Sequence, residues 1–483
     1  MPGVPVPWPT NALPGRRPGE SQGDLINAYA VKVGEQLLIR RTPGLKRYIQ
    51  IDDAPGEPRG MFATQNRLYY LYNQSLRWKN TFGTEDVVSG LVPGSGPVTF
   101  AVNLRPDGPQ LVLVTGDGSG AFEVDENGNV LNPYPEAKLP NVTSVEYYAG
   151  YFFFVSPTND MWASDLQNVV FPTTGESTAK AEYSTDPLLR LKMDGAVLLA
   201  MGTRTIEVWT DVGASPFPLS RQTTIDTGLL APWCVAGGSN RWGNGIFFVA
   251  NDFTVRSLAG TDPRVISNDD VAHDIWTYRG NPDAIWAQVY DFEQQGVFTI
   301  TTPDWTWEFN LTTNVWHRRD SYGLKCWRGV WATNWQNRWY VMDTKHQRIQ
   351  EIMVNVYEED GERLRYRVES APLQQFPKAT RLPNIDVDMT NALGWQNVPS
   401  PYQTNPAAMF SWSKDGGATW GRPVARSFGR IGRYAQKITL NGLGRSTSHG
   451  LRIRCDVVDP VPAVLRSAVA QRAKFSRARQ VEA

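Results

Sequence analysis

Residues 188–211, LLRLKMDGAVLLAMGTRTIEVWTD, decide the fold. They contain three strand patterns in a row. LLRLKMDG leads to a turn at Asp194-Gly195. AVLLAMG is a nearly continuous apolar run, as in a strand covered on both faces. TIEVWTD alternates, as a strand nearer a rim does. The same order recurs on either side. RGMFATQ precedes NRLYYLY and SLRWKN; VTFAVN precedes QLVLVTG and AFEVD; VTSVEYYAG precedes YFFFVSP and MWASD. Downstream, APWCVAGG, GIFFVAND and TVRSLAG form one unit, AIWAQVYD, GVFTITT and WTWEFN another, and RGVWATNW, RWYVMDT and RIQEIMV a last. The apolar strands start at Asn66, Gln110, Tyr151, Ala196, Asn244, Gly296 and Arg338, in steps of 44, 41, 45, 48, 52 and 42 residues. Such a period is that of a β-propeller of about seven blades, each unit stacking on the next. A parallel solenoid would need shorter, more regular coils.

Composition agrees. The 18 Trp, 18 Tyr and 19 Phe, with 42 Gly and 34 Pro, suit pleated surfaces and tight turns better than helices. Lys+Arg and Asp+Glu are both 48, so no global field draws the chain to nucleic acid or an anionic membrane. Cys234, Cys326 and Cys455 are odd in number and far apart, which gives no disulfide framework or CxxC metal site and points to a reducing compartment of synthesis. The N-terminus lacks the apolar segment of a secretory signal, and no run is long enough for a membrane-spanning helix.

The organisation read from the chain is all-β. Residues 1–35 are an extended, Pro-rich N-terminal arm, which by composition has no core of its own and would be held by a surface outside the subunit. Residues 36–357 are the propeller. An early segment, 36–51, is expected to close the ring, with the strand Glu35–Arg41 completing the last blade. Residues 358–464 form a β-sandwich-like domain with strands in RLRYRVES, NIDVDMT, AMFSWSKD, YAQKITL and HGLRIRCDV. Residues 465–483 read as a basic tail, in which Arg466, Arg472, Lys474, Arg477 and Arg479 are candidate subunit or DNA contacts.

The sharpest local motif is Ser413-Lys-Asp-Gly-Gly-Ala-Thr-Trp420, which has the Asp-box pattern S-x-D-x-G-x-T-W. Its mechanics are those of a hairpin turn: Asp415 binds backbone amides, the glycines permit positive φ and Trp420 packs beneath. Sialidases repeat this box blade after blade around an arginine cluster. Here it occurs once and outside the repeats, so Ser413, Asp415, Gly417, Thr419 and Trp420 read as a structural turn. Glu207, Asp211, Asp291, Glu293 and Asp304 are the carboxylates a glycoside-cleaving site would draw on, and a carbohydrate-binding or glycoside-cleaving propeller is the alternative reading. Their ordinary reading is blade surface and turn. His273, His317, His346 and His449 show no zinc-ligand spacing, and DGSG (117–120) and DENGNV (125–130) are hairpin turns rather than phosphate cradles.

Several segments together resemble a known family. They are DLINAYAVKVGEQLLIRRTPGLKRY in the arm, DPLLRLKMDGAVLLAMGTRTIEVWTDVGASPFPL (186–219) with Gly202, Thr205, Ile206, Glu207, Trp209 and Gly213, IDTGLLAPWCVA (225–236), NGIFFVANDFTVRSLAG (244–260), PRVISNDDV (263–271) and WTWEFNLTTNVWHRRDSYG (305–323) with Trp316-His317. This order of motifs is similar to that of the tail hub, or nozzle, proteins of short-tailed bacteriophages, also described as packaged-DNA stabilisation proteins. The resemblance implies a structural virion protein, made in the bacterial host cytoplasm, without catalytic residues, cofactor or metal. It implies a homohexameric ring below the portal and a portal-side adaptor protein. Such a ring retains DNA, touches it transiently during ejection and docks tail fibre, spike or needle proteins. A ring built by one repeated contact needs two different interfaces per subunit, for which the arm and the sandwich are the natural pair. The neutral balance suits a conduit, with the basic residues at subunit contacts rather than on the channel face.

Overall fold

A computed structural model describes residues 3–52, 56–105, 108–125, 127–172, 177–181, 186–238, 242–243, 245–392, 404–471 and 474–476. By contacts the chain divides into two units. One holds Met1–Lys46, Asp291–Trp327 and Ile352–Ala483, the other Arg47–Tyr290 and Arg328–Glu351.

The second unit is the propeller. Five of its blades are complete four-stranded antiparallel meanders, over residues 58–87, 98–133, 144–180, 188–225 and 235–265. Within each, the second strand is the apolar run of the repeat. Arg67–Tyr72, Leu111–Thr115, Tyr151–Val155, Val197–Gly202 and Ile246–Val249 are buried along nearly their whole length. Third strands vary: in Ser75–Asn80, Leu76 and Trp78 are buried while their neighbours are partly exposed, but in Ile206–Asp211 the expected alternation gives way to four buried residues in a row, Ile206 to Trp209. The fourth strands are mostly polar, and all but Leu219–Ile225 are three or four residues long. Glu85–Val87 is exposed throughout, which is why such strands leave no periodic signal in the sequence.

Cores form between blades, not within them. Tyr69, Leu71 and Trp78 of the first blade pack with Val98, Leu111 and Leu113 of the second. Val112, Val114 and Ala101 of the second pack with Val145, Phe152 and Phe154 of the third. Phe153, Val155 and Met161 of the third pack with Leu191, Leu198 and Trp209 of the fourth. Burying each such side chain stabilises by about 1.5–3 kcal/mol. A single repeat has nowhere to bury its second face, and so the unit stacks.

The first unit contains two sheets. One has the order Ala28–Val33, Gln36–Arg41, Val464–Gln471, Ala379–Met389, Ile438–Arg445. The other runs Gln295–Thr301, Thr306–Asn310, Val315–Arg318, Asp24–Ile26, Tyr366–Glu369, Arg452–Val457, Ala407–Ser413, Val424–Ser427. The two face each other across buried side chains. Tyr366 Oη donates to the Ile39 carbonyl at 3.1 Å, and Cys455 Sγ lies 3.9 Å from Met389 Sδ. This is the C-terminal β-sandwich, joined by strands from the arm and, at one end of the second sheet, by Gln295–Thr301, Thr306–Asn310 and Val315–Arg318, the outer strands of the sixth repeat.

Three sequence expectations change here. The described part of the Pro-rich arm is held by its own unit rather than by a surface outside the subunit. Val4–Pro5 pairs with Val464–Gln471, Val6 N–H donates to Ala468 O at 2.8 Å, and Asp24–Ile26 lies between Val315–Arg318 and Tyr366–Glu369. Proline lacks a donor, yet alternate residues of the run still pair at a sheet margin. The strand beside the last blade is Gly44–Gln50, not Glu35–Arg41; the latter pairs with Ala28–Val33 and with Leu465 and Val464. The supposed tail begins inside the sheet, since Val464–Gln471 is flanked by strands on both sides. Leu465, Ala468 and Ala470 point inward and Arg466, Ser467 and Val469 outward. Arg472, Arg477 and Arg479 lie outside the described residues, as does the side chain of Lys474; Lys474–Ser476 pairs through its backbone with Ala379–Arg381.

Candidate functional site

Ring closure is built in the propeller unit from the first and last blades. Ile51 N–H donates to Gln347 O at 3.0 Å, so the chain just after the early strand runs beside the last one. Tyr72 Oη of the first blade donates to Arg348 O at 2.7 Å and accepts from Asp343 N–H at 3.0 Å. Trp331 Nε1 donates to Pro58 O at 3.0 Å, and Thr333 Oγ1 to Met61 O at 3.1 Å. Ile49, Ile51, Met61, Tyr70, Tyr340, Met342 and Ile349 bury one another at this seam. Inside it, Arg328 donates to both oxygens of Asp343, at 2.9 and 2.5 Å, and both side chains are fully buried. Asp343 Oδ1 also accepts from Lys345 N–H at 2.8 Å and Oδ2 from Gln350 Nε2 at 2.5 Å. Buried charge survives only when paired and hydrogen-bonded, and here it is both.

Seven inner strands line an axial cavity of about 490 Å³ in this unit: residues 60–63, 98–102, 145–148, 190–193, 235–237, 287–289 and 331–334. That fixes the blade count at seven. The charged side chains among its lining are Glu146, Arg190 and Lys192. Arg190 lies with its guanidinium carbon 4.4 Å above the Trp233 ring and donates to Pro232 O at 3.4 Å. Trp233 meets Trp331 edge to face at 5.7 Å. Trp331 has a left-handed backbone, φ 56°, within a bulge between Val330 and Thr333. A bulky residue there is strained, and bulges re-aim side chains beside functional sites.

The Asp box lies in the sandwich unit, where Ser413, Asp415, Gly417 and Thr419 bond to one another. Asp415 Oδ1 accepts from Thr419 N–H at 2.9 Å and lies 2.6 Å from Ser413 Oγ; Oδ2 accepts from Thr419 Oγ1 at 2.6 Å. Gly417 N–H donates to Ser413 Oγ at 2.7 Å, and its φ of 110° requires glycine. The hydrogen bond from Ser413, then those from Thr419, hold the Asp415 carboxyl well below its usual range. Trp420 is half-buried under Arg454, 3.9 Å from its ring centre, and Arg454 pairs with Glu369.

The candidate carboxylates are engaged elsewhere. Glu207 is buried, accepts from Trp209 Nε1 at 3.1 Å and pairs with Arg221 at 3.5 Å. Asp211 lies four residues on in the same strand, roughly 13 Å away at strand rise and beyond the ~5–9.5 Å that glycosidases use. In the other unit Asp304 pairs with Lys325 at 2.8 Å, Glu293 sits 3.9 Å from Arg40, and Asp291 is exposed. His317 Nε2 lies 2.9 Å from Glu308 Oε2, with both side chains buried, and His273 stacks on Trp276. His346 N–H donates to Asp343 Oδ1 at 3.3 Å, and His449 N–H to Thr447 Oγ1 at 3.3 Å. Among the described residues no group of three His, Cys, Asp or Glu could hold a metal, and no helix is long and apolar enough to cross a membrane.

Sequence reasoning missed the buried arginines. Arg59 donates to four carbonyls, Gly96, Asn73, Val92 and Pro93, at 2.6–3.0 Å. Arg41 donates to the carbonyls of Leu364, Asp459 and Val461, and burial pushes its pKa down to about 10. A carbonyl partner carries no sequence signature, so neither site could be read in advance.

A family model described as bacteriophage P22 Gp10, beta-propeller, matches residues 26–357, and a second, bacteriophage P22 Gp10, beta-sandwich, matches residues 383–473. The chain belongs to the bacteriophage P22 Gp10 family. It is a structural tail-hub or stabilisation protein of the virion. The motifs that carried the resemblance have visible jobs. Asp186 accepts from the N–H groups of Arg204 and Thr205 and from Thr205 Oγ1, while a Cβ on Gly202 would come within 2.5 Å of its Oδ2. Trp316-His317 is where the arm docks: Trp316 N–H donates to Asn11 Oδ1 and its carbonyl accepts from Ala12 N–H, both at 2.8 Å. No curated protein sequence matches the chain significantly. Solved structures similar to it include the WD40 beta propeller domain of Doa1 (TM-score 0.41, 10% identity, 64% of this chain and 97% of that one) and U3-55K (0.40, 10%, 65% and 98%). BamB from Moraxella catarrhalis is a third (0.40, 9%, 68% and 95%). Scores this low carry no further argument.

Proposed function

We propose that this chain is one subunit of a homohexameric ring, the tail hub or nozzle, below the portal and its adaptor. The ring retains packaged DNA, conducts it at ejection and presents docking surfaces for fibres, spikes or a needle. It breaks no bonds. The observation that carries this reading is the match of both P22 Gp10 models, propeller then sandwich, in one chain. The propeller axis also favours a path for DNA between subunits. A cavity of about 490 Å³ offers no room for a duplex, whose major groove alone is ~12 Å wide and ~8.5 Å deep. A seven-bladed ring with a sealed seam is a rigid platform with many short loops, suited to holding partners in fixed geometry. Arg466 is exposed, and we assign it and the basic residues beyond it to subunit contacts.

Mass measurement under native conditions tests this. The purified chain should be a hexamer, or a monomer that becomes six-membered when the portal-side adaptor is added. A stable dimer, or no association with the adaptor, would contradict it.

A further inference from the structure

We propose that the axial cavity of the propeller binds a small anion, a carboxylate or phosphate on a compact body, between Arg190 and Lys192. Three observations carry this. First, strand alternation places Arg190 and Lys192, two residues apart in Leu188–Asp194, on the same face, and both line the cavity. Second, the one lining carboxylate does not neutralise them. Among the described residues neither cation makes an ion pair within 4.0 Å, Glu146 included. Two cations and one carboxylate leave an excess of one positive charge in a cavity walled otherwise by Phe62, Phe100, Trp233 and other uncharged groups. Third, the wall beside Arg190 is strained into place: Trp331 takes its left-handed backbone to meet Trp233, on which Arg190 rests. Strain of about 1–3 kcal/mol persists where the surroundings enforce it, and such positions cluster at ligand clamps.

The electrostatics point the same way. Desolvation first, and then the neighbouring Arg190, pull the Lys192 pKa down against the opposing pull of Glu146. Desolvation lowers Arg190 to about 10, so it remains cationic at neutral pH. Desolvation raises Glu146, against the opposing pull of Lys192 and Arg190. All three side chains are partly exposed to the cavity, and an entering anion would add charge-assisted hydrogen bonds from both cations. The aromatic wall beside Arg190 offers a flat apolar surface for the body of such a ligand. A nucleic-acid duplex is too large to enter.

The test is calorimetric titration of the full chain at neutral pH with inorganic phosphate and, separately, with benzoate. Saturable binding of either supports the site, and which one binds tells a phosphate group from a carboxylate. Lys192→Met should weaken binding about tenfold or more, the loss of one charge-assisted hydrogen bond. Glu146→Gln should strengthen it, because the competing carboxylate is gone. A melting curve for each variant checks folding; should Lys192→Met fail to fold, the opposite sign expected of Glu146→Gln still decides. No saturable uptake of either anion up to about 10 mM, or the same affinity in wild type and Glu146→Gln, overturns the proposal.

Discussion

At the scale of single residues, stability rests on charges that left water and found partners. Asp343 and Arg328 are both fully buried at the ring seam. Asp343→Ala would strand the guanidinium and is expected to cost about 3–5 kcal/mol, whereas a hydrophobic pair, Arg328→Met with Asp343→Leu, should recover much of that. Chemical denaturation of the three proteins checks it; equal losses in the single and double variants would contradict it. Asp415 gives a second handle. Its folded-state pKa is depressed, so its contribution is fully present above the unfolded carboxylate value of about 4 and is lost as pH falls below that toward the folded value. Melting temperature against pH should therefore fall less steeply below pH ~4 in Asp415→Asn than in wild type. The Asp box was legible because all its partners lie within seven residues. Arg59 was not, because three of its four carbonyls arrive from a loop more than thirty residues away and none has a side-chain identity to read.

At the scale of elements, what could be read followed burial. The second strands are covered on both faces and appear in sequence as YFFFV or VLLAMG. Fourth strands such as Glu85–Val87 are solvated, and their letters resemble loop. The closing strand was placed one turn too early for a related reason: QLLIRR and GLKRYIQ are both amphipathic, and only long-range pairing separates the strand that joins the sandwich from the one that closes the propeller. The second of these should matter most to the ring. Ile49 is 2% exposed within the seam. Ile49→Ala is expected to destabilise the propeller by about 2–5 kcal/mol, against within about 0.5 kcal/mol for the exposed Lys46→Ala. Equal effects would mean that the early strand does not close the blade.

At the scale of the whole molecule, the repeat period carried the propeller and the change of pattern near Glu358 carried the sandwich. The arm misled because proline composition predicts a segment without a core, and composition cannot show that a core elsewhere in the same chain accepts it. Val6, Ala12, Leu25, Ile26 and Ala28 are all buried. The hexamer and the portal-side position proposed above have no signature in one chain. The measurement that tests them most directly is an image of the intact particle at a resolution that recognises a seven-bladed ring. Six copies encircling the DNA path beneath the portal and its adaptor, with no duplex along any propeller axis, is the result expected. A different copy number, or the chain found on a fibre away from the portal axis, would contradict it.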